Sequence, residues 1–423
     1  MPAKTIWLIM MDNCLPEHGP HNRHFWFAKH LKERGYNPVV FVASRERGNA
    51  IQMIEDDAPF KVDDSYGFPF AYIRIKDYGE SMKRRILAIF EFHKRLNKYA
   101  DTFAEMYGKP DVILGSNGYP LSPWLANRFA RKYKAASICE ICDLWPLSLE
   151  EYDIIKTGGA IAKAMYVLER KNYEDADAII FSMEGGGEYI RDKGWDVDSG
   201  GKINLAKVHH INNGIDLDAF RENAQSCPCA LSELEVGEKA RIVYTGSMRA
   251  VNNVSYMIDV ARLMKNDPVM FVMVGGGDKL DELRATVDSE GLDNIVFTGP
   301  VPKRCIPGIL SKADLLLVAF TSENGVAKYG MSLNKLFDYL ASGKPLLSGM
   351  PPCYSIIEKY DCGVERSFAN SEDFADQVRQ MVSDKDSLKR WGENSRSTAE
   401  LYSFVSHTNH LIEIIEDITK EEQ

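Results

Sequence analysis

The stretch Tyr329–Pro345, YGMSLNKLFDYLASGKP, joins a glycine-containing loop to an amphipathic helix. Apolar residues recur at helical spacing from Leu333 onward, and Gly343 is placed to end the helix as its C-terminal cap. A helix N-terminus behind such a loop presents backbone N–H groups and a positive dipole end, which suits a diphosphate. Asp338 follows about one turn later and is placed to accept hydrogen bonds from ribose hydroxyls. The alternative is a capped surface helix with one exposed aspartate.

Short apolar runs alternate with helix-length amphipathic segments along the chain, a pattern typical of parallel sheets covered by helices. The predicted strands are Thr5–Met11, Pro38–Ala43, Asp111–Gly115, Ser137–Ile141, Ala178–Ser182, Lys207–Ile211, Arg241–Thr245, Val269–Val274, Asn294–Phe297, Asp314–Ala319 and Pro345–Ser348. The helices predicted in the first half are His21–Arg34, Met82–Tyr107, Ser122–Tyr133 and Ala160–Tyr173. The two sets of strands predict two doubly wound α/β domains with a cleft between them, and Leu217–Ala240 is the predicted linker region.

Composition narrows the class of protein. A chain of 423 residues that is 45% apolar and 26% charged fits two domains of about 200 residues each. The net charge of −10 argues against nucleic acid as the main partner. No apolar run approaches the roughly 18–20 residues that cross a bilayer. The eight cysteines are scattered, which favours reduced thiols and a cytoplasmic protein.

The helix and loop of Tyr329–Pro345 resemble the donor-binding motif of the large retaining glycosyltransferase family four, in its bacterial surface-polysaccharide branch. That family usually has Glu, seven residues, Glu, then Ala/Ser-x-Gly-x-Pro. Here Asp338 falls on the second glutamate, which implies a contact with the nucleotide ribose. Gly330 stands where the first glutamate is expected, so contacts to the donor sugar must come from elsewhere.

Four more stretches match the family in order and spacing. They are Asn213–Asp216, Tyr244–Arg249, Gly275–Gly277 and Val296–Val301. In the family, a cation in the second of these meets the donor phosphates, and Arg249 is the candidate here. The family's additional lysine is replaced by Asn252-Asn253, and Lys335 or Lys328 is expected to supply that charge. The donor-binding residues implied by the resemblance are Gly246, Ser247, Arg249, Gly275, Gly299, Val301, Gly330, Met331, Ser332, Leu333, Asn334 and Asp338.

Two stretches of the first domain resemble family loops that face the cleft. Gly19, Pro20 and Arg23 belong to a glycine-rich loop that the resemblance places near the donor phosphates and the acceptor; the alternative is a turn and helix cap. Asp143, within CEICDLWPLS, is expected to orient the acceptor or contact the sugar. It could instead cap the following helix. Arg249, Lys335 and Asp143 are thus the candidate catalytic residues.

A basic amphipathic helix is predicted at residues 82–99 (MKRRILAIFEFHKRLNKY). Such a helix can rest on an anionic membrane surface, while the alternative is a helix whose apolar face packs into the domain. The family's acceptors are often lipid-linked sugars, which favours contact with a membrane.

Metal and nicotinamide sites are not expected. The spacing of His18, His21 and His24 is not a zinc pattern, and neither Cys139-x-x-Cys142 nor Cys227-Pro-Cys229 has a partner pair. The triple glycine at 275–277 lacks the third glycine of a dinucleotide fingerprint. Catalysis in the family needs no bound metal, so neither metal nor cofactor is predicted.

The resemblance implies the GT-B architecture, in which two Rossmann-like doubly wound domains face a central cleft. Residues 1–204 would bind the acceptor, residues 205–398 would bind the donor, and residues 399–423 would form a helix that returns to the first domain. The implied reaction is retaining transfer from a nucleotide diphosphate-sugar to a saccharide or polyprenyl-linked saccharide. A UDP-sugar is the preferred donor and a GDP-sugar the second choice.

The implied role is cell-surface polysaccharide biosynthesis (lipopolysaccharide, capsule or exopolysaccharide) at the cytoplasmic face of the membrane. Two alternatives come from other classes of protein. One is a GT-B nucleotide-sugar epimerase, and the other is a non-catalytic nucleotide-sugar-binding partner of a transferase.

Overall fold

The computed structural model describes residues 3–19, 21–46, 51–79, 81–235, 237–249, 252–320, 325–351 and 353–420. The chain divides into two compact units. Unit 1 comprises Met1–Asn213 and Phe404–Gln423, and unit 2 comprises Gly214–Ser403.

Unit 1 is built on an eight-stranded sheet. Its strands are β1 (Thr5–Ile9), β2 (Asn37–Ala43), β3 (Phe60–Asp63), β4 (Phe70–Ile73), β5 (Val112–Ser116), β6 (Ala136–Ile141), β7 (Ala178–Phe181) and β8 (Val208–His210). The strand order is β3-β4-β2-β1-β5-β6-β7-β8. Only β3 pairs in antiparallel fashion among the described strands. The central strand β1 is buried along its whole length, as expected for a strand covered on both faces.

Helices cover this sheet. They are α1 (Arg23–Glu33), α2 (Met82–Tyr107), α3 (Leu121–Tyr133), α4 (Leu147–Glu151), α5 (Ala160–Asp175) and α6 (Gly186–Asp192). The predicted bounds of α2 are confirmed, and those of α1, α3 and α5 differ by at most two residues. In the described part of the chain, no helix combines the length and the apolar character that crossing a membrane requires.

Unit 2 is built on a six-stranded parallel sheet. Its strands are β9 (Ala240–Thr245), β10 (Val269–Val274), β11 (Ile295–Gly299), β12 (Leu315–Leu317), β13 (Leu346–Ser348) and β14 (Gly363–Glu365), in the order β11-β10-β9-β12-β13-β14. Its helices are α7 (Leu217–Ser226), α8 (Tyr256–Leu263), α9 (Leu280–Glu290), α10 (Ile306–Ser311), α11 (Asn334–Ser342), α12 (Ile356–Lys359), α13 (Ser371–Ser383) and α14 (Lys385–Leu401). One apolar core lies on each face of the sheet.

The last helix, α15 (Phe404–Lys420), packs on unit 1, so the predicted return of the C-terminal helix is confirmed. The Phe404 ring stacks on Trp26 with centroids 6.3 Å apart. Arg34 Nε donates to Asn409 Oδ1 at 2.7 Å, and the Tyr36 hydroxyl donates to Glu416 at 2.8 Å. These contacts fix α15 against α1 and the start of β2.

The change of unit falls at 213/214, whereas the sequence placed it at 204/205. Residues 205–213 stay in unit 1 because β8 extends its sheet by pairing with β7. The second change falls at 403/404, after the break between α14 and α15, and not at 398/399.

The interpretation of Leu217–Ala240 as a linker is wrong. Most of this segment folds into unit 2, where α7 packs on α10 and α11. Phe220 and Leu234 are buried in the apolar core on that face of the sheet. Phe220 and Leu234 are surrounded in the sequence by many acidic residues. The segment was therefore interpreted as a linker although it contributes to the core.

The prediction that all cysteines are reduced thiols is also wrong. Cys227 and Cys305 form a disulfide, while the other six cysteines are free. The backbone of Cys227 lies so close to Gly308 that a Cβ there would come within 2.4 Å of the Cys227 carbonyl oxygen. The end of α7 and the start of α10 are therefore in contact, which brings together two cysteines 78 residues apart.

The loops that follow β9 and β10 are hydrogen-bonded to each other through their backbones. Gly246 N–H donates to Val274 O, and Met248 N–H donates to Gly276 O, each at 2.9 Å. Gly275 adopts a φ of +149°, and a Cβ there would lie 1.7 Å from Gly246 O. Only glycine permits this approach.

Gly275→Ala should therefore lower the free energy of unfolding by more than about 3 kcal/mol, because the new Cβ overlaps a backbone carbonyl that cannot move alone. Gly237 is the matched control, since it has a φ of +63° with open space around its Cβ position. Gly237→Ala should cost only about 1 kcal/mol. Urea unfolding of the two variants tests the difference, and equal losses would contradict the close approach.

Candidate active site

The carboxyl ends of the six parallel strands of unit 2 meet at one edge of the sheet, where ligands of doubly wound folds bind. The loops after β9, β10 and β11 lie at this edge, together with the loop that leads from β12 into α11. All the predicted donor-binding residues belong to these four connections or to the first turns of α11.

The loop into α11 leads to a helix N-terminus whose N-cap residue is apolar. The short 3-10 turn Gly325–Tyr329 precedes Gly330, which has a φ of +90°. Leu333 is the N-cap in an extended conformation, and its side chain makes no capping hydrogen bond. The first-turn N–H groups carry the positive end of the helix dipole, which suits an anion. The predicted helix start and the Gly343 cap are confirmed.

Lys335 lies in the first turn of α11 and is half-buried. Its Nζ sits 4.0 Å from the centroid of the Tyr244 ring at the end of β9. Within the described residues it has neither a hydrogen bond nor a carboxylate at ion-pair distance. Burial lowers the pKa of Lys335 from 10.5 to about 7. A cation–π contact compensates only part of the lost hydration, so a bound anion would stabilise the charged amine.

Arg249 is a second cation at this edge. It is exposed in the loop after β9 and makes no ion pair with any other described residue. Ser247 holds the same loop, because Asn252 Nδ2 donates to its hydroxyl at 2.6 Å and to its carbonyl at 2.8 Å. Lys328, the alternative to Lys335, is exposed and lies over Tyr329 in the preceding turn. Lys335 is therefore the lysine at the helix N-terminus.

Asp338 is 5% exposed and forms an ion pair with Lys303, which lies in the 3-10 turn after β11. The sequence placed the carboxylate ready to accept from hydroxyl groups, and the structure instead gives it a lysine partner. The interpretation as an exposed surface aspartate is wrong. No motif singled out Lys303, because the partners are 35 residues apart.

Tyr339 joins α11 to the end of β9. The buried Tyr339 hydroxyl accepts from Thr245 N–H at 2.7 Å. Tyr339 adjoins Asp338 and lies four residues after Lys335. Its bond to Thr245 therefore fixes the face of α11 that carries Lys335 and Asp338. The sequence analysis did not predict it.

The remaining donor-loop residues occupy the same edge. Gly299 has a φ of +94°, and its carbonyl accepts from Gly275 N–H at 3.0 Å. Val301 packs against the apolar core beside α11. Met331, Ser332 and Leu333 are half-buried, and Asn334 is exposed. The structure thus brings these residues of unit 2 together, as predicted.

The sequence analysis placed Arg23 in the loop before the first helix. In the structure, Arg23 is the first residue of α1. It is buried, and its Nε donates to Glu140 at 2.9 Å. Its other nitrogens donate to the carbonyls of Ile211 and Asn212. Together with His24 it holds the pKa of Glu140 well below its usual range, against the opposing effect of burial. Arg23 is therefore committed to a structural network. Gly19 is buried nearby, and Pro20 lies outside the described residues.

Asp143 follows β6 at the carboxyl edge of the unit 1 sheet and is exposed. Asn117 shapes its loop, because Asn117 Nδ2 donates to the Asp143 carbonyl at 2.6 Å. Pro146 is the N-cap residue of α4, and the alternative role of Asp143 as a cap of that helix stays a prediction.

The histidines near the first strand serve separate contacts. His18 Nδ1 lies 2.7 Å from Glu46, and His24 Nε2 lies 2.6 Å from Glu140. Among the residues that the structure describes, no group of three or more His, Cys, Asp or Glu side chains is arranged to hold a metal ion.

Part of the chain is similar to a known protein family. Residues 232–398 match the family model described as "Glycosyl transferases group 1". No curated protein sequence matches the chain. The match begins just before β9 and ends within α14, so it covers the whole unit 2 sheet and the candidate site.

Solved structures resemble the whole chain. Sucrose-phosphate synthase from Thermosynechococcus elongatus is 15% identical with a TM-score of 0.70, covering 99% of this chain and 100% of that one. Anabaena HepE in complex with UDP-glucose is 13% identical with a TM-score of 0.65, covering 98% and 99%. WaaG, a glycosyltransferase involved in lipopolysaccharide biosynthesis, is 15% identical with a TM-score of 0.62, covering 97% and 99%. The chain therefore has the α/β fold of GT-B glycosyltransferases, and residues 232–398 are similar to the glycosyl transferases group 1 family.

Proposed function

We propose that the protein transfers a sugar from a nucleotide diphosphate-sugar to a saccharide acceptor. The observation that carries the proposal is Lys335. It is a half-buried amine without a carboxylate partner among the described residues, at the N-terminus of α11 and beside the glycine-rich loops. An anion bound here would pair with the Lys335 amine and the helix N-terminus. A diphosphate leaving group carries the negative charge for this.

Each part of the site has a role in this proposal. Lys335, Arg249 and the first-turn N–H groups of α11 would neutralise the charge that develops on the departing diphosphate. The Asp338–Lys303 pair would bind the ribose, with the Asp338 carboxylate accepting a hydrogen bond from a hydroxyl group. The hydrogen bond between Tyr339 and Thr245 would keep α11 in a fixed position relative to β9. The charged groups on the helix and the loop after β9 would therefore keep their relative positions.

The proposed donor is a UDP-sugar, with a GDP-sugar as the second choice. The match to a glycosyl transferases group 1 model supports a nucleotide-sugar donor. Two of the similar structures contain UDP-glucose or UDP-2-fluoro glucose, which supports uridine.

The proposed mechanism is retaining transfer without metal or cofactor. The acceptor hydroxyl would attack from the face that the diphosphate leaves, and a phosphate oxygen would take its proton. The acceptor would bind in unit 1, with Asp143 orienting it. The cationic side chains and amides of unit 2 supply the neutralisation that a metal would otherwise provide. An epimerase would turn over without an acceptor, and a non-catalytic partner would bind the nucleotide without turnover.

Calorimetric titration with UDP, GDP, dTDP and ADP tests the donor site. One nucleotide should bind to the wild type, with UDP tightest, and Asp338→Ala should weaken it by at least about tenfold because the ribose contact and the Lys303 pairing are both lost. Asp361→Ala, on the side of unit 2 that faces α14, is the control and should leave affinity unchanged. Absence of binding by every nucleotide, or an unchanged Asp338→Ala, would contradict the assignment.

We also propose that α2 brings the protein to an anionic membrane surface, where a polyprenyl-linked acceptor would be found. The middle of α2 packs inward through Phe92, His93 and Leu96. Its first turns instead expose Leu87 and Phe90, which are 67% and 57% accessible. Met82 and Ile86 are exposed as well, beside the exposed cations Lys83 and Arg84. Apolar side chains among basic ones suit the interface of an anionic bilayer.

Sedimentation with phosphatidylglycerol-containing vesicles tests the membrane surface. Replacing Leu87 and Phe90 together by serine should weaken vesicle binding by about tenfold or more, because both apolar side chains leave the bilayer. The matched control replaces Ile161 and Val167 of α5 by serine, since they are equally exposed at 66% and 70%. Equal binding by both double variants, or binding that neutral vesicles reproduce, would contradict this role of α2.

A further inference from the structure

A recess opens beside the loop that leads into α11. Polar and apolar residues both line it, and they come from the end of β12, the loop before α11, the first turn of α11, the segment after β13 and the end of β14. The apolar part of the lining includes Val318, Ala327, Met331, Leu333, Leu336 and Met350. The recess lies entirely within unit 2.

One acidic residue lines this recess. Glu365 is the last residue of β14 and is half-buried there, and Ser355 lines the same recess. No cation lies within ion-pair distance of Glu365 in the part of the chain that the structure describes. Burial raises the pKa of Glu365, while hydrogen bonds from the Ser355 and Ser348 hydroxyls act in the opposite direction. The two oxygens of a carboxylate offer about four acceptor sites, so Glu365 has acceptor capacity left for an N–H or O–H of a ligand.

The size of the recess limits what can enter it. Its volume is about 30 Å³, which corresponds to roughly two water molecules. A pyranose ring does not fit, whereas a substituent of a few heavy atoms does. The apolar wall favours a substituent that ends in a methyl group, and Glu365 favours one that carries an N–H or O–H.

The position of the recess relates it to the candidate diphosphate site. Met331 and Leu333 line the recess with their side chains, and the same stretch of backbone leads into the N-terminus of α11. In a nucleotide-sugar, the C2 substituent is attached to the carbon next to the one that carries the diphosphate. Of all ring substituents it is therefore the one nearest the phosphates.

We propose that the recess binds the acetamido group of a nucleotide-linked 2-acetamido sugar. The amide N–H donates to the Glu365 carboxylate, and the methyl group packs against the apolar wall formed by Met331, Leu336 and Met350. A C2 hydroxyl would leave this wall without a contact. Glu365 is thus a residue that determines donor specificity. The inference rests on the proposed function, since it places the sugar next to a diphosphate at α11.

Competition titrations with UDP, UDP-glucose and UDP-N-acetylglucosamine test the inference. The wild type should bind UDP-N-acetylglucosamine at least about tenfold more tightly than UDP-glucose, because one charged hydrogen bond and a buried methyl group are gained. Glu365→Gln, which keeps the shape of the side chain, should reduce that preference at least about fivefold and leave UDP affinity unchanged. Glu393→Gln, on the exposed face of α14, is the control and should behave as the wild type.

The outcomes separate the two claims. Tight UDP binding with equal affinity for the two sugars in the wild type would overturn the acetamido site and leave the proposed function standing. Absence of UDP binding would instead contradict the donor site itself. The preference of the wild type for UDP-N-acetylglucosamine over UDP-glucose does not depend on the stability of any variant. The inference can therefore be contradicted even if the Glu365→Gln protein fails to fold.

Discussion

The first turn of α11 rests on the carboxyl end of β9, where the Lys335 amine lies 4.0 Å from the centre of the Tyr244 ring. An aromatic face offers a cation only part of what water provides, and the pKa of Lys335 falls accordingly. The bond from Thr245 N–H to Tyr339 holds the same helix on the same strand, so the position of the amine is set by the fold.

The glycine-rich loops lie at the same carboxyl edge of the sheet as the contact between α11 and β9. The loops after parallel strands meet at one edge, and the β9 and β10 loops can pack together there only where side chains are absent. Gly275 allows the two backbones to touch, which keeps the space in front of α11 free for a ligand. In unit 1, the Arg23–Glu140 pair serves stability, because the guanidinium also satisfies the carbonyls at the end of the unit's last strand.

Local pattern was sufficient to predict most helices and strands, whereas the donor loops were inferred from the family resemblance and stay a prediction. The two sheets, helix α2 and the start and cap of α11 follow from periodicity and glycine placement. Strands β3, β4 and β14 were not predicted, since segments of only three or four residues carry little periodic signal. The burial of Arg23 against Glu140 was not predicted because the two residues are 117 positions apart. Lys303 and the Cys227–Cys305 bond were not predicted for the same reason: a sequence pattern does not show which distant side chains meet.

Proton uptake on nucleotide binding tests the central claim most directly. Since the pKa of Lys335 is about 7, the amine is largely neutral at pH 8, and a bound diphosphate should raise the pKa and draw in about 0.9 proton. Affinity for UDP should therefore fall as the pH rises above 7. Calorimetry of UDP binding at pH 8, in buffers of different ionisation enthalpy, measures the uptake. The wild type should take up nearly one proton, Lys335→Met none with weak binding, and Lys335→Arg none with binding retained. Tight binding by the wild type without proton uptake, or equal uptake by Lys335→Met, would contradict the account.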